Sequence, residues 1–126
     1  MEAKELRIGN YIHPLLDKKE VAEICYIGEN DFGYERLSDK EYFQGNSIKP
    51  IPLTEEWLVK FGFELEDEKI YYHLDSYEDI YITKTSYSFS IYNATHFTNI
   101  KQGIKHVHQL QNLYFALTNE ELTIKQ

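Results

Sequence analysis

Residues 49–63, read as KPIPLTEEWLVKFGF, constrain this 126-residue chain more than any other stretch. They hold two of its three prolines and its only tryptophan. Pro50 and Pro52 push the residues before them out of the helical region, so 47–53 is expected to be extended. Thr54 is a good N-cap, Glu55 and Glu56 sit where a helix start favours negative charge, and Gly62 suits the left-handed residue beyond a helix end. A helix of about two turns follows, with Trp57, Leu58 and Phe61 as its apolar stripe. So short a helix is unstable alone and must pack.

Ahead of that stretch the pattern is one of short strands and turns. Residues 6–13 alternate with a bulge or turn at Gly9-Asn10, and Pro14 stops them. Residues 20–27 read as a second strand, 28–33 as a loop, 34–37 as a third strand and 38–46 as a polar loop. Turn residues every 8–12 positions suggest a small barrel or a strongly curled sheet. Beyond it, 64–68 reads as an acidic loop. Strands are expected at 69–74, 79–83 and 86–92, joined by connectors short enough for hairpins. The last of these puts Tyr87, Phe89 and Ile91 on one face and Ser88, Ser90 and Tyr92 on the other. Residues 93–102 fit a fourth strand or a loop. A helix is expected over 103–117, its stripe formed by Ile104, Val107, Leu110, Tyr114 and Leu117 and widened by Leu113. Leu122 and Ile124 in the tail are apolar enough to dock.

The expected fold class is therefore α+β. Residues 1–53 form a small barrel-like (SH3-like) antiparallel subdomain, and 54–126 a helix–three-strand meander–helix subdomain packed with it as one compact unit.

The hydrophobic fraction of 42% argues against disorder. Thirteen basic and 21 acidic residues give a net charge of −8, which disfavours long nucleic acid as a partner. The N-terminus has no apolar signal region, and no apolar run approaches the ~18–20 residues of a membrane span, so a soluble, cytoplasmic protein without membrane contact is expected. The single cysteine, Cys25, excludes an intramolecular disulfide and reads as a small buried thiol in the run 24–27.

Three segments resemble a known family: ELRIGNYI at 5–12, KPIPLTEEWLVKFGF at 49–63 and IKHVHQLQNLYFALTNEEL at 104–122. Together they are similar to an uncharacterised family of small proteins from Bacteroidetes genomes and their phages or mobile elements. The resemblance implies a bacterial cytoplasm as the setting. It transfers no activity, cofactor or catalytic residue.

Sites of chemistry are sparse. His106 and His108 on one helix would point about 200° apart and could not share a metal. No GxSxG turn, P-loop or GxGxxG is present. The acids of 64–79 lack calcium-loop spacing. No catalytic residue, metal ligand or cofactor is therefore assigned. One asymmetry does point to a site, because 80–119 contains no acid at all and carries Lys84, Lys101 and Lys105. Alternation puts Tyr81, Thr83, Ser88, Ser90 and Tyr92 on a non-core sheet face, with Lys84 at its rim and Lys101 within approach. Hydroxyls and cations on a rigid sheet suit a phosphate or nucleotide. Two readings follow: a non-catalytic interaction protein of phage or mobile-element type that binds a host protein, or a binder of an anionic small molecule on the 80–92 face.

Overall fold

In a computed structural model of the chain, residues 5–14, 20–66, 71–74, 77–84, 89–93 and 98–125 are described. The fold is α+β and contains two antiparallel five-stranded sheets. By packing the chain divides into two units, Met1–Pro52 with His106–Glu121, and Leu53–Lys105 with Leu122–Gln126.

The first unit is built on a curled, barrel-like sheet. Its strands are β1 (Tyr11–Pro14), β2 (Ala22–Ile27), β3 (Phe32–Arg36), β4 (Tyr42–Gly45) and β5 (Ile48–Lys49), in the order β4-β3-β2-β1-β5. Strand β4 falls inside the stretch expected to be a loop: Tyr42 and Phe43 pair with Glu35 and Tyr34, and that pairing overrides the polar local sequence. Period-two alternation delivers Ile12, Ala22, Ile24, Phe32, Tyr34 and Ile48 to one buried cluster with Leu6. Tyr34 and Phe43 stack across strands at 5.9 Å between ring centroids. The turn offered by Gly9-Asn10 forms, with Gly9 at φ 100° and the Arg7 N–H donating to Asn10 Oδ1 at 2.7 Å, so the strand expected over 6–13 begins only at Tyr11.

The late helix belongs to this first unit, whereas a division at 53/54 would have put it in the second. The reason lies in its polar side chains. Gln111, fully buried, accepts the Tyr11 N–H and donates to the Gly9 carbonyl. Asn112 accepts from Asn10 Nδ2 at 2.9 Å and donates to the Glu5 carbonyl at 2.9 Å. The Arg7 guanidinium lies 4.0 Å from the centre of the Phe115 ring and pairs with Glu121. The helix, α2, runs Val107–Thr118 and so starts later than 103. Gly103 (φ 73°) and Ile104 finish a strand, and His106 is extended as the N-cap. Asn119 at φ 61° ends it, donating to the Phe115 carbonyl at 2.7 Å. The buried face is Val107, His108, Leu110, Gln111 and Tyr114, with Leu117 exposed. The stripe is thus rotated toward Gln111, which answers the Gly9 and Tyr11 backbone.

In the second unit, α1 (Glu55–Lys60) has the expected caps. Thr54 Oγ1 accepts the Trp57 N–H at 3.3 Å, and Gly62 at φ 95° lets its own N–H and that of Phe63 close on the Val59 and Leu58 carbonyls. Leu53, Trp57, Leu58, Phe61, Phe63, Ile82, Phe89, Ile91, Ile104 and Leu122 are buried. The sheet is a meander of five strands rather than three, in the order β10-β9-β8-β7-β6. These are β6 (Glu64–Glu66), β7 (Tyr71–Leu74), β8 (Tyr77–Lys84), β9 (Phe89–Asn93) and β10 (Thr98–Ile104). The start of the expected acidic loop is therefore an edge strand. Half-turn-length signals cannot separate an acidic edge strand from a loop, since only one side of it must pair. No helix among the described residues is long and apolar enough to cross a membrane.

Candidate functional site

The 80–92 face splits under the observed register. Tyr81 pairs with Tyr92 and Thr83 with Ser90, so these four occupy alternate rows of β8 and β9 as alternation requires. Between those rows, Ile82 pairs with Ile91 and both are buried. Lys84, however, pairs with buried Phe89, and Lys101 with Ile91. Both lysines stand in the rows of the apolar residues, because 84 has the parity of 82 and because β10 carries register shifts on either side of 101. Ser90 is buried, while Thr83 is half-buried. Ser88 lies outside the described residues. The hydroxyl rows come together in the ladder. The two cations fall in other rows.

A second surface lies on the outer face of β2, β3 and β4, and sequence reasoning passed over it. Gly33 pairs with Tyr26 on one side and Gln44 on the other. A Cβ built on Gly33 would meet the Tyr42 ring and, at 2.9 Å, the Tyr26 Cβ. Glycine is thus required there because two tyrosines close over the backbone. Both remain open to solvent, Tyr26 at 47% and Tyr42 at 50% exposure. The Tyr26 ring reaches on toward Gly28, where a Cβ would meet its Cε1 at 2.9 Å. Gln44 accepts from the Tyr42 hydroxyl at 3.5 Å and donates to Asp31 at 2.7 Å, extending the patch.

The neighbouring row carries acids. Glu23 and Glu35 stand directly opposite on β2 and β3, and Tyr42 is opposite Glu35 on β4. Partial burial first, then the Glu35 charge, raises the Glu23 pKa, while Lys40 lowers it. Cys25 occupies the register break between Ile24 and Tyr26 and is exposed, which corrects its reading as a buried thiol. The extra residue of the bulge carries the side chain off the core face. Desolvation against the strand, followed by Glu35 and Glu23, raises its pKa, so the thiol stays protonated at neutral pH and lacks the character of an activated nucleophile. The signal for this surface was present as Tyr26 in the second expected strand and Tyr42 in the 38–46 stretch, but it had no meaning until β4 existed.

The histidines also differ from the sequence expectation. Because His106 is an extended N-cap, its ring stacks on that of His108 at 5.7 Å and 11° rather than pointing away. His108 is buried, and its Nδ1 has no hydrogen-bond partner. Burial, then His106, lowers its pKa, while Glu5 raises it. His13 Nδ1 donates to the Glu20 carbonyl at 2.7 Å. Among the described residues no three His, Cys, Asp or Glu side chains group as metal ligands.

No family model, no curated protein and no solved structure matches this chain.

Proposed function

We propose that the chain is a non-catalytic interaction protein, an accessory factor of a phage or mobile element that binds a host protein through the outer face of β2–β4. The observation that supports this is the pair Tyr26 and Tyr42, half-exposed side by side over Gly33. Tyrosine supplies a large, rigid contact area with a polar tip and is enriched at protein interfaces. Two such rings seated on a sheet lose little side-chain freedom on binding. The biological setting rests on the three family-like segments.

Binding of an anionic small molecule such as a nucleotide on the 80–92 face is the weaker alternative. Its hydroxyl residues share rows, but Lys84 and Lys101 do not join them.

The test is a photo-crosslinking amino acid placed at position 42 or 26 and expressed in the bacterial host, with position 56 on α1 as control. One discrete crosslinked protein, formed from 42 and 26 and absent from 56, is the expected result. Adducts of equal number and intensity from all three positions would remove the reading.

A further inference from the structure

Taking the outer face of β2–β4 as the binding surface, the charge and register of that face specify the kind of partner. The Glu23–Glu35 pair is a like-charge pair directly across two strands, an arrangement that destabilises a sheet. Neither carboxylate forms an ion pair with a described residue. Lys40 is near enough to influence Glu23 without closing a bridge. Arg36, the other nearby cation, is committed to Asp39 and Glu41 and lies 4.8 Å from the Phe43 ring centre. Beside the carboxylates stand the open Tyr42 ring and, one row on, Tyr26, Gln44 and Asp31. An unrelieved local conflict on a sheet surface, next to exposed aromatics, is the pattern expected where a partner completes the arrangement.

The complement is a cation with an apolar stem. An arginine set between Glu23 and Glu35 would relieve their repulsion, and its guanidinium or a neighbouring one would lie on a tyrosine ring. The same charge repels other occupants. A nucleic acid, an anionic membrane and a second copy of this chain at net −8 all meet carboxylates there. We therefore propose that the partner offers this face an arginine-bearing basic protein segment, which binds across Glu23 and Glu35 and against Tyr42 and Tyr26.

The probe is a nine-residue peptide of alternating arginine and serine, compared with a lysine-free neutral leucine/serine peptide and an aspartate/serine peptide. Binding is read by amide chemical shifts of Gly33 and Tyr42 and by the rate of Cys25 alkylation, since that exposed thiol lies in the face. The basic peptide should shift Gly33 and slow alkylation. Glu35→Gln should weaken it roughly tenfold at low salt and, by removing the repulsion, raise the melting temperature. Glu56→Gln, with the same change in net charge on α1, should alter affinity much less, and Tyr42→Leu should weaken binding while leaving the charge intact. Equal losses from Glu35→Gln and Glu56→Gln would show a diffuse Coulomb effect and overturn the inference. So would a basic peptide that leaves Gly33 unshifted. Binding of the neutral peptide alone at Gly33 would overturn the inference while leaving a protein-binding face in place.

Discussion

The carboxamide of Gln111 accepts the Tyr11 N–H at 2.9 Å, and its nitrogen donates to the Gly9 carbonyl at 3.0 Å. Strand β5 pairs only with His13 and Pro14, so it does not reach this end of β1. One fully buried side chain from α2 supplies the two bonds in its place. Buried backbone groups must find such partners, so the helix is held to the sheet by position-specific bonds as well as by Leu110 and Tyr114.

Replacing Gln111 by Leu removes the acceptor of the buried Tyr11 N–H and the donor to the half-buried Gly9 carbonyl. The expected loss is roughly 2–4 kcal/mol in denaturant unfolding. Amide exchange at Tyr11 should accelerate more than exchange within β3.

Trp57 is buried, lies 5.5 Å from Phe61 between ring centroids, and carries Lys60 Nζ at 4.7 Å over its ring. Trp57→Ala should cost roughly 3–5 kcal/mol through lost burial and the cavity left behind. Thr54→Ala removes only the N-cap acceptor and should cost about 1 kcal/mol. Thermal melts of the two variants separate the packing contribution from the cap.

Gly62 holds φ 95°, a conformation that side chains with a Cβ rarely adopt. Gly62→Ala should destabilise by about 1–2 kcal/mol. Gly62→Asn, which tolerates left-handed backbone better, should recover part of that loss, as measured by chemical denaturation.

His108 gives stability a pH dependence of definite sign. Its folded pKa lies below the ordinary 6.5, chiefly through burial and also through His106, with Glu5 opposing. The unfolded chain therefore binds a proton that the folded chain resists, and stability is lost as pH falls below 6.5. The slope can reach about 1.4 kcal/mol per pH unit until the folded pKa is crossed. Glu23, raised above its ordinary 4.5, acts with the opposite sign at lower pH. His108→Leu should flatten the dependence between pH 6.5 and 5 while leaving neutral stability unchanged or higher, because the unpartnered Nδ1 is gone. An unchanged slope in that variant would assign the dependence to other groups.

Much of the fold was legible from local chemistry. Thr54, Gly62 and the Trp57–Phe61 stripe determined α1 with its caps, Gly9-Asn10 determined the turn before β1, and alternation put Phe89 and Ile91 on a buried side of their strand. These signals need only a residue and its near neighbours, so a single sequence carries them. Other features depend on partners distant in the chain. Strands β4 and β6 exist because β3 and β7 offer a ladder to sequences that read as loops. The helix α2 joins the first unit because Gln111 and Asn112 meet backbone about 100 residues away. Register, not composition, separates Lys84 and Lys101 from the rows of Thr83–Ser90 and Tyr81–Tyr92. The Tyr26–Gly33–Tyr42 surface likewise appears only once three strands lie side by side. Local sequence determines which residues can form elements and which of their sides is apolar. Only long-range pairing decides which elements become neighbours, and with that, which side chains share a surface.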